Sequence, residues 1–258
     1  MSSAKRIEDF RVTRNVALTP RHFLLELLAP GKLPGLLPGQ FVQVLVENST
    51  STFLRRPFSI HRVNETENTL DLLVQIKGEG TRKLSRLREG DRLNLIYPLG
   101  NSFSLQKNGP VLLIGGGCGV APLLFLAQSL CTNDTKVAIL IGGRKKHDLF
   151  EIEEYRKCGE VFITTEDGTE GEKGLVTDHS ILQKEKLAYS MIYCCGPDPM
   201  MESVASVAHM HNIECEVSLE NTMACGFGVC LCCITPTIHG NQRVCVEGPV
   251  FNTKELGW

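Results

Sequence analysis

The sequence predicts a multidomain chain of α/β plus β class: an antiparallel β-barrel over residues 1–104, a parallel α/β sheet over 105–212 and a small cysteine-rich domain over 213–258. Three observations predict it. Up to about residue 100, short runs of Val, Leu, Ile and Phe are separated by Pro-Gly or Asn-rich breaks. From Pro110 onward, strand-like runs alternate with helix-like ones. After Cys215 the helical periodicity fades and cysteines crowd together, in about forty residues that bury little core of their own and for which a bound metal is a natural staple.

In the first unit, residues 21–29 (RHFLLELLA), 40–47 (QFVQVLVE), 57–63 and 69–76 read as strands, and 81–87 as the one short helix. The second opens with the strand VLLIG and a helix over 120–130, followed by VAILIGG, a helix over 149–157 and EVFITT. It closes with YSMIYCCG running into the helical PDPMMESVASVAHMH. Strands alternating with helices of this length indicate a parallel sheet covered on both faces. The chain shows neither an internal repeat nor a low-complexity linker.

Composition removes several classes of function. Lys plus Arg number 27 against 29 Asp plus Glu, so no excess of positive charge points to nucleic acid or an anionic membrane as partner. The opening MSSAKRIEDF has no apolar core followed by a small-residue cleavage site, so a cytoplasmic location is expected. Residues 111–130 are uncharged and about long enough to span a bilayer, but Gly115, Gly116, Gly117, Gly119 and Pro122 interrupt them. That pattern suits a strand, a turn and a helix better. Eleven cysteines without a signal peptide read as reduced thiols or metal ligands rather than a disulfide framework.

Cys118, Cys131, Cys158, Cys194, Cys195 and Cys215 are dispersed and read as structural. Cys225, Cys230, Cys233 and Cys245 form C-x4-C-x2-C-x11-C, the close run and distant fourth cysteine of plant-type 2Fe–2S ligation. Gly226 and Gly228 let the loop turn tightly and aim amides at charged sulfurs. The competing reading is a structural zinc site, which more often shows two C-x2-C pairs. Cys232 is an alternative ligand to Cys233, and the x2 spacing favours Cys233.

Two further motifs suit nucleotide cofactors. Arg55-Arg56-Pro57-Phe58-Ser59-Ile60, followed by Gly78-Glu79-Gly80-Thr81, supplies the charge, hydroxyls and free amides that a flavin edge and pyrophosphate need. Each alone is more often an ordinary strand edge or turn, and together on a barrel they become more specific. Gly115-Gly116-Gly117-Cys118-Gly119-Val120-Ala121-Pro122, at a strand-to-helix junction, leaves room for a dinucleotide pyrophosphate, and Cys195-Gly196-Pro197 is a similar turn after the last strand. Their competing reading is a tight turn packed under the sheet. Gly116, Gly117, Gly119, Cys195, Gly196 and Pro197 are the candidate NAD-binding residues, and no residue is designated as catalytic. The basic Arg144, Lys145 and Lys146 suit a 2′-phosphate, whereas Glu166 and Asp167 suit ribose hydroxyls.

In order and spacing, RRPFSI, KGEGTRKLSRLREGDRL, PLGNSF, GGGCGVAP, CGPDPM, MACGFGVCLCC and RVCVEGPVF resemble the ferredoxin-reductase-like flavoproteins. Within them, the likeness is to the electron transfer subunits of NAD-dependent dihydroorotate dehydrogenases. The resemblance covers nearly the whole chain. It implies FAD in the barrel, contacted by Arg56, Pro57, Phe58 and Ser59, by Leu73, Val74 and Gln75, and by Gly80 and Thr81 at the pyrophosphate. It implies NAD as electron acceptor behind the barrel and a 2Fe–2S cluster at the four cysteines. It also implies a partner, the FMN-containing catalytic subunit that oxidises dihydroorotate to orotate in pyrimidine biosynthesis, in a heterotetramer of two copies of each. Gln75 departs from the basic residue frequent in the family, and Cys118 and Cys232 are additional thiols. A flavoprotein subunit of a ferredoxin-dependent or hydrogenase complex, and a regulatory module holding zinc, are the alternatives. Met223, Phe227, Val229 and Leu231 are apolar for so short a loop, and some are expected to form an exposed patch that a partner covers.

Overall fold

The computed structural model describes residues 4–47, 49, 51–106, 108–133 and 135–258. Contacts divide the chain into two compact units, one of residues up to 102 with 220–235 and 242–249, the other of 103–219 with 236–241 and 250–258.

The first unit is a seven-stranded antiparallel sheet. Its elements are β1 (Arg6–Thr19), β2 (His22–Leu28), β3 (Phe41–Val44), β4 (Arg56–Ser59), β5 (Arg62–Asn64), β6 (Thr69–Gln75), helix α1 (Glu79–Leu84) and β7 (Arg92–Leu99). The order β4-β3-β7-β1-β2-β6-β5 puts β4 and β5 at opposite edges. Only Ile60 and His61 join them: the Ile60 N–H donates to Gln40 O beside β3, and the His61 N–H to Asp71 O on β6. The three steps from Ser59 to Arg62 reach about 11 Å at most. The sheet therefore curls until its edges meet, around a core that includes Phe10, Leu25, Leu72, Val74 and Leu95. The expected strand 57–63 is split at this crossing, because the chain changes sheet edge there. Neither β1 nor β7 was expected. In β1, charged residues alternate with the buried Phe10 and Val12, a half-buried pattern that simple apolar density hides.

The second unit contains β8 (Val111–Gly116), α2 (Ala121–Cys131), β9 (Val137–Gly143), α3 (Ile152–Arg156), β10 (Glu160–Thr165), β11 (Glu172–Lys173), β12 (Met191–Cys195), α4 (Asp198–Met210) and β13 (Glu214–Ser218). The hairpin strands β14 (Ile234–Thr237) and β15 (Gly240–Arg243) follow, and then β16 (Val250–Asn252). Order β11-β10-β9-β8-β12-β13-β16 is parallel except for β16, which runs antiparallel to β13. The sheet thus continues to Ser218, past the boundary expected at 212, because residues 214–217 pair with β12. Helix α3 is shorter than the expected 149–157, as Glu151 adopts a left-handed φ of 51° just before it. The uncharged run 111–130 is β8, a 3₁₀ turn and most of α2. Among the described residues, no helix is long and apolar enough to cross a membrane.

Candidate cofactor sites

The cysteine loop belongs to the same unit as the barrel. The PLGNSF turn anchors its second half: the Asn101 N–H donates to Gly248 O (2.7 Å), and Asn101 Nδ2 to Glu247 O (2.7 Å). Gly100, at a φ of 73°, leaves room for Pro249, whose Cδ lies 2.5 Å from where a β-carbon would stand. Arg243 then clamps the first half, donating through Nη1 to Gly228 O (3.2 Å) and through Nε to Glu247 (3.0 Å). Gly226 and Gly228 both have φ in the left-handed region, +79° and +92°.

These turns aim the backbone at sulfur. Burial of the Cys225 thiol would raise its pKa, but hydrogen bonds from the amides of Cys230, Phe227 and Val229 and from the Cys230 side chain outweigh it and bring it down to about 6. The Cys232 N–H points at Cys230 Sγ (3.5 Å), so Cys232 lends its backbone while its own side chain is exposed. Cys245 is held above its ordinary pKa by burial and by contact with Cys233, while the Gly228 amide opposes this. Cys225 is thus hydrogen-bonded by Cys230 and Cys245 by Cys233, and Cys225 lies near enough to Cys245 to act on it electrostatically. Among the described residues, no three His, Cys, Asp or Glu side chains converge as they would around a single ion. Cysteine sulfurs ringed by amide donors fit the negatively charged sulfurs of an iron–sulfur cluster.

The flavin motif lies on β4 and β6. All four residues of β4, Arg56–Ser59, are half-buried. Arg56 Nη1 donates to Leu54 O (2.8 Å), whereas Arg55 is built into the sheet through Gln43 O and Asn94 O. On β6 the register with β2 runs on to Gln75, but the register with β5 stops at Asp71. Among the described residues, Leu73, Val74 and Gln75 therefore present a backbone edge without a strand partner on the side of β4, with the Leu73 and Val74 side chains buried. Thr81 Oγ1 accepts the N–H groups of Lys77 (2.9 Å) and Gly78 (3.1 Å), shaping the turn that begins α1. Gly80 is buried against Thr52. An unpaired strand edge beside a half-buried strand fits the polar rim of an isoalloxazine ring.

In the second unit the chain leaves β8 toward β9 on one side and returns at β12 on the other, so β8 and β12 flank the topological switch point where such sheets bind ligands. The two glycine turns meet there. A β-carbon on Gly119 would stand 2.5 Å from Gly196 Cα, and one on Gly116 2.5 Å from Met200 Sδ. Close packing thus accounts for both. Gly117 differs, with a φ of 57° and nothing within 4 Å of its missing side chain. Cys195 turns its sulfur inward toward Ser218 O (3.4 Å) and offers the crevice only backbone. At the ends of β9 and β10, the Asp167 N–H donates to Arg144 O, and Lys146 pairs with Glu170 (2.9 Å). The basic and acidic loops therefore lie side by side.

Family profiles agree with this layout. The FAD-binding domain of oxidoreductases matches residues 8–103, the oxidoreductase NAD-binding domain 113–206, and the iron–sulfur cluster binding domain of dihydroorotate dehydrogenase B 220–257. The dihydroorotate dehydrogenase B (NAD(+)) electron transfer subunit of Caldanaerobacter subterraneus is 38% identical over 95% of this chain and 96% of its own. That of Desulforamulus reducens is 36% identical over 98% and 99%. The chain belongs to the dihydroorotate dehydrogenase B electron transfer subunit family. Among solved structures, the NADH-dependent reduced ferredoxin-NADP oxidoreductase, described for flavin-based electron bifurcation, is 28% identical with a TM-score of 0.87, over 96% of this chain and 90% of that one. A ferredoxin reductase of carbazole 1,9a-dioxygenase, 21% identical over 81% of this chain and 67% of that one with a TM-score of 0.70, shares the fold.

As a member of the dihydroorotate dehydrogenase B family, the chain is an oxidoreductase electron transfer subunit whose cofactors are FAD, a 2Fe–2S cluster and NAD. Sequence reasoning missed two residues of the cluster loop's surroundings. Arg243 lies within RVCVEGPVF, where the Arg–Glu pair at i,i+4 is the signal the sequence offers. Gln43 was passed over inside QFVQVLVE, where a lone polar residue on a buried strand was the available signal.

Proposed function

We propose that this subunit links NAD to a catalytic subunit that holds FMN and oxidises dihydroorotate, with residues of each site in the roles expected of them. Arg56, Pro57, Phe58 and Ser59 hold one side of the FAD, the open backbone edge of Leu73, Val74 and Gln75 holds its polar rim, and Gly80 and Thr81 shape the turn at its pyrophosphate. Cys225, Cys230, Cys233 and Cys245 hold the cluster. Gly117 gives a nucleotide access to the crevice, whose walls are Gly116, Gly119 and the Cys195-Gly196-Pro197 turn. Bound flavin supplies the exchange between a two-electron nicotinamide and a one-electron cluster.

The observation that carries this reading is the cysteine loop, its sulfurs beneath backbone amides, set in the unit that bears the flavin motif. The three cofactor segments match FAD-, NAD- and cluster-binding domains, none of them a domain for an oxidisable organic substrate. That chemistry belongs to the partner. Phe227, Val229 and Leu231 are 42%, 74% and 59% exposed on the cluster loop, an apolar patch suited to cover by the catalytic subunit. A cytoplasmic assembly of two copies of each subunit completes the proposal.

The test is steady-state kinetics of the two purified subunits together. Dihydroorotate-dependent reduction of NAD should require both, with kcat/KM for NAD exceeding that for NADP by about tenfold or more, about 1.4 kcal/mol. Activity with the catalytic subunit alone, or a preference for NADP, would contradict the proposal.

A further inference from the structure

Gln43 sits on β3 and is completely buried, and among the described residues neither Nε2 nor Oε1 has a hydrogen-bond partner. Its cross-strand neighbours, Pro57 on β4 and Ile96 on β7, carry no side-chain polar group. Alternation along β3 places Phe41 and Gln43 on one face, and Val42 and Val44 on the other. The Phe41 face packs toward the cysteine segment: a β-carbon on Gly100 would stand 3.0 Å from the Phe41 ring and 2.5 Å from Pro249. On the same face, a β-carbon on Gly226 would stand 2.6 Å from both Cγ and Nε2 of Gln43. The residue after Cys225 must lack a side chain both for its left-handed φ and because the Gln43 carboxamide occupies that space.

A buried carboxamide has two donors and two acceptor lone pairs to satisfy, and leaving them unmade is costly. This one is pressed against the backbone that carries Cys225, beside a loop whose other amides already point at sulfur. We propose that Gln43 donates its side-chain N–H to the bound cluster and so raises the cluster's reduction potential. Reduction adds negative charge to the cluster, and a fixed N–H donor stabilises the more negative state. Because β3 is also the strand paired with Arg56–Ser59, the donor is mounted on the sheet that carries the flavin motif. The inference rests on the cluster assignment above.

The experiment compares the anaerobically purified, cofactor-loaded wild type with Gln43→Leu, which removes the donor, and Gln43→Met, which keeps an unbranched side chain without an N–H. Iron, sulfide and FAD contents should match the wild type. Redox titration followed by EPR should show the cluster midpoint shifted to lower potential with an altered signal, and the flavin midpoint unmoved. Pulsed EPR on wild-type protein labelled with ¹⁵N at glutamine side chains should show coupling to a side-chain amide nitrogen, a readout that does not depend on either variant folding. An unchanged cluster midpoint in a loaded variant, or no such coupling, would overturn the assignment and leave the amide satisfied by solvent. A shift confined to the flavin would also overturn it. Wild-type protein without iron would sink the cluster reading itself, and this assignment with it.

Discussion

Replacing Cys230 by serine takes one thiol from the pair it forms with Cys225 and leaves every residue of β4 and β6 in place. Iron content should fall by about tenfold or more, while FAD stays bound and NADH still reduces an artificial acceptor that takes electrons directly from the flavin. Joint loss of iron, FAD and acceptor reduction, measured by metal analysis, absorbance and dye reduction, would show that the loop is required for folding. The cysteine spacing was legible because four thiolates at fixed separations have few other uses. The x2 spacing favours Cys233 over Cys232 as a ligand; Cys233 is buried beside Cys245 and Cys232 is exposed, as is Cys230. Gln43 was illegible for the opposite reason: one polar residue in an apolar strand acquires meaning only when Gly226, far off in sequence, is seen against it.

Among the elements, strands announced by dense apolar runs, such as β2, β6, β8 and β9, fall close to where they were expected. Strand β1 escaped because its charged residues alternate with buried ones, and β7 because Pro98 near its end resembles a turn. Strand β5 was merged with β4, since a change of sheet edge across two residues leaves no trace in composition. The cluster loop carries its own element-scale prediction. Substituting Phe227 and Leu231 together by serine should weaken association with the catalytic subunit by about 30-fold, about 2 kcal/mol for two apolar side chains no longer covered. NADH oxidation by the free subunit should be unchanged. Titration calorimetry or sedimentation would check it, and unchanged association would place the docking surface elsewhere.

A second element-scale prediction concerns acid. His179 is buried, accepts the Ile181 N–H at Nδ1 (3.1 Å), packs edge-on to Phe162 and turns Nε2 toward Glu172 Oε1 (3.5 Å). Burial lowers its pKa below the ordinary 6.5, and Glu172 only partly opposes this. The unfolded chain therefore takes up the proton first as pH falls, and stability declines from about 6.5 down to the folded-state pKa. Thermal unfolding followed across that window should show Tm falling with pH, and His179→Gln should flatten the slope. An equal slope in both proteins would assign the acid sensitivity to other groups.

At the scale of the molecule, the order barrel, parallel sheet, cysteine loop was legible from the sequence, and the partition of the cysteine loop was not. Its residues 220–235 and 242–249 fold with the barrel, while 250–258 add β16 to the edge of the other sheet, a division set by long-range pairing of Val250–Asn252 with β13. The glycine turns were legible as close approaches, but the sequence did not reveal that Gly119 and Gly196 pack against each other. The central claim is that one chain carries a flavin and an iron–sulfur cluster together. Anaerobic purification followed by metal, sulfide and flavin analysis tests it most directly. The account predicts about two irons, two sulfides and one FAD per chain, with the EPR signal of a reduced 2Fe–2S centre after addition of NADH; zinc at the cysteines without iron or flavin would contradict it.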